Sequence, residues 1–400
     1  MKRSISLLIS AAVASLTTAG CSVIGGSSPT PSAPAPVPVP TVRVLPANLK
    51  ALPGAIYLTP PEGEAQVDRL LASPVMRNPE FQAAVGRWVD YWQGPAKPWF
   101  PVFLQRMGAF EQTVDSALSV RSMPPSLRYV PLIESGYSTG AQSHASAVGM
   151  WQFMSGTARE FGMEVGAFVD ERRNPYMATE AAVDFLDELN ERFSSWFLAL
   201  AAYNGGPNRV RRILRANAPL ALPSDSLFWA LRAHWPRETQ EFVPKLVGAI
   251  IVAQNPERYG YATPVGDPPL TFDMVTVPEA TTFDVLAGAA EVDEEEIRRL
   301  NPELFRGFTP PGSSYLLRVP AGRAERFSKN YAAIPASERM AIVEHAVVSG
   351  ETLSHIARRY GVSVSDLEAA NPDIRPKYLR IGANVTVPIT LARGGVDFCH

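Results

Sequence analysis

The 400-residue chain is poor in the residues that build covalent or metal-centred scaffolds. It has two cysteines, Cys21 and Cys399, and five histidines. At most one disulfide is available, and His144, His234, His345, His355 and His400 show no metal-ligand spacing. No metal and no cofactor is implied. A basic excess is also lacking: Lys+Arg 37 against Asp+Glu 39 leaves a net charge of −2. That excludes the basic face on which nucleic-acid binding depends. The apolar run Ile5 to Leu16 falls short of the roughly 20 residues that a membrane-spanning helix needs. Hydrophobic residues make up 46% of the chain, enough for a sizeable core, and 400 residues imply two or three domains.

The first residues do carry an export pattern. Lys2 and Arg3 precede the short apolar run, and the small residues Thr18-Ala19-Gly20 stand before Cys21. This resembles a bacterial lipobox, which implies a lipoprotein signal peptide over 1–20 and lipidation at Cys21. Acyl chains contribute about 0.8 kcal/mol per buried CH₂, so several on one cysteine make a stable membrane anchor. Residues 21–60 then read as a Pro-rich tether. Within 29–40 Pro alternates with Ala, Val, Ser and Thr, a composition that favours extended polyproline II at about 3.1 Å per residue. Ser22 after the cysteine resembles the pattern of lipoproteins sent to the outer membrane. The expected location is the cell envelope, on the periplasmic face of that membrane. Residues 391–400, with Cys399 and His400, read as a tail.

Residues 61–262 carry a helical pattern. Ala182, Leu186, Leu189 and Phe193 fall on one helix face, behind the cap and first-turn pair Asn174-Pro175. The run from Trp196 to Tyr203 stops at Gly205-Gly206-Pro207. The last third holds an internal repeat. Glu279 to Pro302 aligns without gaps against Ser349 to Pro372 at an offset of 70, and Val319-Pro320 and Val387-Pro388 close the two copies. Each copy reads as strand, helix, helix, strand, which predicts βααβ modules over 272–322 and 343–390. The fold class expected is mainly α.

Glu134 ends an apolar segment, Leu127 to Ile133. Apolar surroundings disfavour the charged carboxylate and keep a proton available near neutral pH, as glycosidic cleavage requires. One such glutamate is weak evidence by itself. Three ordered blocks strengthen it: Glu134-Ser135 with Ser143 and Gly149-Met150-Trp151-Gln152-Phe153-Met154; Ala202-Tyr203-Asn204-Gly205; and Glu238 to Lys245. Together these resemble the Slt-type lytic transglycosylases, particularly the D-type membrane-bound enzymes, over Leu127 to Tyr259. The resemblance implies a lysozyme-like helical domain that binds peptidoglycan glycan strands and cleaves between N-acetylmuramic acid and N-acetylglucosamine. It implies Glu134 as the acid/base, with Ser143, Gln152, Met154, Tyr203, Asn204 and Phe242 along the groove. Core packing is the alternative for Met150, Trp151 and Phe153. Phe242 stands where the family has Tyr, and Ser146 where Gly is frequent.

No second carboxylate comes with the motif; Asp170 and Glu171 read as a charged loop before a helix. The family's solution is substrate assistance, with the muramic acid 6-hydroxyl closing on C1 to give a 1,6-anhydro end. A lysozyme-like muramidase and a non-catalytic wall-binding lipoprotein are the competing readings. The second repeat resembles a LysM module, which implies glycan binding by Gly350, Glu351 and Thr352 on one loop and Asn371, Asp373 and Ile374 on the other. The first repeat has Ala280 in place of that glycine and an acidic run at 293–296, so it reads as a degenerate copy, with structural and binding roles equally open. Arg209, Arg211, Arg212 and Arg215 read as a solvated helix face, with a surface for the acidic stem peptides as the alternative.

Overall fold

A computed structural model of the chain describes residues 68–388, apart from 167, 311–313, 340, 341, 361, 377 and 378. The expected signal peptide, Cys21, the whole tether over 21–60, and the tail with Cys399 lie outside the described residues.

The helical region contains α1 (Pro79–Gln93), α2 (Phe100–Val120), α3 (Val130–Ser135), α4 (Ser155–Glu160), α5 (Pro175–Phe193), α6 (Trp196–Gly205), α7 (Pro207–Asn217), α8 (Asp225–Ala230) and α9 (Arg237–Gln254). Local chemistry sets the starts. Asn78 caps α1, Asn174 caps α5 through the amides of Tyr176 and Met177, and Ser195 caps α6. Prolines occupy the first turns of α1 and α5, where a missing N–H costs nothing. Helix α6 is apolar all round, and every residue from Trp196 to Ala202 is buried, so α5 and α9 pack against it as a central spine. Where α1 crosses α9, a side chain on Gly248 would put its Cβ 2.8 Å from that of Trp88. Only glycine permits that approach. Among the described residues no helix is long and apolar enough to cross a membrane.

Two small modules follow. In the first, β1 (Phe272–Val277) pairs antiparallel with β2 (Tyr315–Pro320), Phe272 opposite Pro320, around α10 (Phe283–Ala290) and α11 (Glu294–Leu300). The repeat alignment did not include α12 (Ala324–Ala333), which packs on α10 and adds Phe327 and Tyr331 to the module's core. A short helix, α13 (Ala336–Arg339), leads to the second module. There β3 (Ile342–Ala346) pairs antiparallel with β4 (Asn384–Pro388), Ala346 opposite Asn384, around α14 (Leu353–Tyr360) and α15 (Val364–Ala370). The fold is mainly α with two two-stranded sheets among the described residues, as expected.

One asparagine clasps each module. Asn301 accepts from the Arg318 amide (2.9 Å) and donates to its carbonyl (2.8 Å). Asn371 does the same with Thr386 (2.8 and 2.7 Å). The Asn-Pro pairs of the repeat are thus explained by strand closure: a side-chain amide can satisfy both backbone groups of one strand residue.

Candidate active site

Glu134 sits in the last turn of α3, whose residues Val130 to Ile133 are all buried. The helix ends at Gly136, at φ +59° in the left-handed region, whose N–H returns to the Leu132 carbonyl at 3.1 Å. A Cβ there would stand 2.2 Å from the Phe103 ring, so glycine is required twice over. Burial pushes the Glu134 carboxyl from 4.5 up to about 7; the charge of Lys245 opposes the shift and that of Glu238 adds to it. Lys245 comes from α9. Its ammonium donates to the Ile133 carbonyl at 2.8 Å and lies 5.9 Å from the centre of the Trp88 ring. Burial lowers its pKa, against the pull of Glu134 and Glu238.

The loop 141–154 is tied down beside this helix through its carbonyls. Ser135 Oγ donates to Met150 O at 2.8 Å, and the Tyr203 hydroxyl donates to Trp151 O at 2.6 Å. Val148 and Phe153 exchange backbone hydrogen bonds at 3.0 and 3.1 Å. Trp151 Nε1 donates to Thr179 Oγ1 at 3.0 Å. Met150, Trp151 and Phe153 are core residues, the alternative reading of those positions. Between them Gln152 is partly exposed at φ +53°, and its amide donates back to Gly149 O at 2.7 Å. Gln152 therefore finds its partner inside the loop. Met154 is exposed, and Ser143 Oγ accepts from the Ala147 amide at 3.0 Å. Ser146 adopts φ +65°, the left-handed region where glycine is at ease, which explains why glycine suits this position.

The other two blocks meet at the end of α6. Asn204 donates to Glu238 Oε1 at 3.2 Å and accepts from Thr239 Oγ1 at 2.8 Å. Burial raises the Tyr203 phenol well above its ordinary pKa, with the Glu134 charge as a second cause. The Glu134 charge acts on Tyr203, which is hydrogen-bonded to the 141–154 loop, and the charge of Glu238, the partner of Asn204, acts on Glu134. Phe242, expected along the groove, is 4% exposed and packs in the core. Sequence reasoning passed over Lys245 and Glu238, both inside the third block. The available signal was a lysine set among Val243, Pro244, Leu246 and Val247. Among the described residues no His, Cys, Asp and Glu cluster is placed to hold a metal ion.

In the second module Gly350 (φ +86°), Thr352 and Asp373 are exposed and Ile374 is half-buried. Asp373 and Ile374 line an open hollow of about 800 Å³ with Arg375, Leu379, Arg380 and Ala383. Glu351 and Asn371 are already committed. Glu351 accepts from Val348 N (3.0 Å) and Arg359 (3.0 Å) and contacts His345 Nε2 (2.7 Å), and Asn371 is the buried clasp. The Val348 and His345 contacts hold the Glu351 carboxyl below its usual range.

Family models match this chain in three places: the transglycosylase SLT domain at 115–221, the LysM-like domain of lytic transglycosylase MltD at 271–336, and the LysM domain at 345–388. Membrane-bound lytic murein transglycosylase D of Escherichia coli K12 is 30% identical over 280 residues, covering 67% of this chain and 60% of its own length. The protein of that name from E. coli O6:H1 matches equally. The chain therefore spans 60% of the length of the curated relatives it matches. A solved structure, an inactive mutant of the lytic transglycosylase Slt from Pseudomonas aeruginosa, is 24% identical. It covers 39% of this chain and 25% of its own, with a TM-score of 0.31. The chain thus carries a transglycosylase SLT domain followed by two LysM-type modules, and in this arrangement it is similar to the membrane-bound lytic murein transglycosylases D.

Proposed function

We propose that this protein is a peptidoglycan lytic transglycosylase with Glu134 as its acid/base. The observation that carries the reading is the position of Glu134. It is a partly buried carboxyl held near neutral pKa, and contacts between the three sequence blocks converge on it through Ser135–Met150, Tyr203–Trp151 and Asn204–Glu238. Protonated Glu134 gives its proton to the bridging oxygen as the C1–O bond breaks. The N-acetyl carbonyl of muramic acid stabilises C1. The 6-hydroxyl oxygen of the same sugar then bonds to C1 and returns its proton to Glu134, leaving a 1,6-anhydro end and consuming no water. An oriented intramolecular nucleophile of this kind reaches an effective molarity of about 10⁵ M or more.

In this reading Ser143, Gln152 and Met154 border the glycan on the loop side, and Tyr203 and Asn204 on the helix side. Phe242 contributes by packing behind them. The second module binds glycan through Gly350, Thr352, Asp373 and Ile374, with Glu351 and Asn371 holding the two loops in shape. Lipidation at Cys21 and a tether to the envelope membrane complete the arrangement.

Glu238 supports a second reading. It is a carboxylate close enough to raise the Glu134 pKa, which a hydrolase directing water at C1 would require. Product analysis separates the two. Digested sacculi examined by mass spectrometry without a reduction step are expected to carry 1,6-anhydromuramic acid ends, and Glu134→Gln is expected to yield none. Reducing ends labelled from heavy-oxygen water would establish the hydrolase instead. Turnover retained above a few per cent in Glu134→Gln would remove Glu134 from the chemistry.

A further inference from the structure

The loop positions that stand open in the second module are closed in the first. Opposite Gly350, Thr352 and Asp373 in the repeat stand Ala280, Thr282 and Glu303, and all three are buried. Glu303 is 1% exposed. Its Oε1 accepts from Arg318 (2.6 Å), from the Tyr315 hydroxyl (3.0 Å) and from the side-chain amide of Asn174 (3.1 Å), a residue of the helical domain. Its backbone carbonyl accepts from the Asp170 amide at 3.0 Å. Around this centre Val169 enters the first module's core, Phe168 meets Phe308 at 5.8 Å, and the Arg318 guanidinium lies 5.1 Å from the centre of the Tyr176 ring. A buried carboxylate–arginine pair makes little net contribution to stability, but its donors fix where the partners must stand.

The segment held in this way is the one that holds the loop 141–154. Asp170 and Arg172 form a buried bidentate pair, 2.8 Å at both contacts. The remaining nitrogen of Arg172 donates to Ser146 O (3.1 Å) and Phe153 O (3.2 Å), one near the middle of the loop and one near its end. Arg173 donates to Gly140 O at 3.0 Å. Gly149 lies so close to the Arg172 backbone that a Cβ would stand 1.7 Å from its carbonyl oxygen. Asn174 links both ends of the chain of contacts. Its Oδ1 caps α5, and its NH₂ reaches Glu303, so the carboxylate decides which way the amide faces.

We propose that Glu303 is a positioning residue for the catalytic cleft. The first module offers no ligand loop there; it braces residues 168–174, and Asp170 and Arg172 carry that constraint to the loop that presents Gln152 and Met154. The loop's place in the glycan groove rests on the function proposed above, whereas the brace itself does not.

The test uses the full-length protein. Glu303→Leu with Arg318→Met removes both charges together, which avoids a lone buried charge. Amide hydrogen exchange at Val148, Gly149 and Phe153 is expected to become about tenfold faster, with α6 and α9 unchanged. KM for glycan is expected to rise about tenfold, with kcat held within about twofold. Glu303→Gln with Arg318→Met restores an acceptor for Asn174 and is expected to recover both quantities. Asn174→Ser, which keeps a cap on α5 but cannot reach Glu303, repeats the test without touching the buried pair. Unchanged loop exchange in a folded variant, acceleration spread evenly over the helical domain, or no difference between the Leu and Gln forms would each overturn the brace. Faster loop exchange with KM unchanged would uphold the brace and count against the loop as part of the glycan groove.

Discussion

The two βααβ modules share an alignment without gaps, a two-stranded sheet and an asparagine clasp on the closing strand. They differ in what stands before their loops. In the first, Glu303 and its neighbours are buried against the helical domain; in the second, Asp373 borders an open hollow. The same loop position therefore carries a buried carboxylate in one copy and a solvated one in the other. The motif specifies a scaffold, and the surroundings decide whether its loops meet a ligand or another part of the chain.

The largest effect should come from breaking the buried pair on one side only. Arg318→Leu leaves Glu303 charged without its partner and is expected to cost about 3–5 kcal/mol in urea unfolding. In the second module Arg359→Leu removes a largely exposed arginine from Glu351 and should cost much less. Equal costs would erase the difference between the modules.

Glu134 is a partly buried carboxyl of the opposite kind, since the Lys245 ammonium is hydrogen-bonded to the Ile133 carbonyl. A pKa raised from 4.5 to about 7 makes ionisation work against folding. The stability it contributes is fully present below pH 4.5 and is lost as pH rises through 7. Glu134→Gln should then melt with the parent at pH 4 and above it at pH 8, by up to about 3 kcal/mol. A constant offset at both pH values would contradict the raised pKa.

Removing residues 344 onward takes away the open module and leaves the brace. Sacculus pull-down is expected to fall about tenfold through lost effective concentration, with cleavage of short soluble glycans and melting of the helical domain preserved. Undiminished pull-down would show that exposed loops alone do not make a binding module.

The smallest effect concerns the charge facing Glu134. Lys245 lowers the Glu134 pKa, so Lys245→Met should move the alkaline limb of kcat upward, read from the pH–rate profile. A downward move would assign that limb to another group.

Much of this was legible because its signals are local. The cap Asn174, the stop at Gly206 and the strand-helix-helix-strand repeat each depend on local residue patterns, and the structure has them where the pattern predicts. The three blocks around Glu134 were legible through resemblance. Asn371 was read as a ligand contact, yet its amide closes a strand, because the same residue type suits both tasks. Phe242 was read as groove-lining and is core.

By itself the sequence determined the mainly helical class, the repeat and a glutamate at the end of an apolar turn, since periodicity, capping and strand closure act over short distances. Tertiary structure alone decided how far burial lifts the Glu134 pKa, that Lys245 and Glu238 face it from α9 and its first turn, and that Glu303 reaches Asn174 across 129 residues of sequence. Desolvation and charge pairing depend on which surfaces meet, and that is set only when the packed elements close on one another.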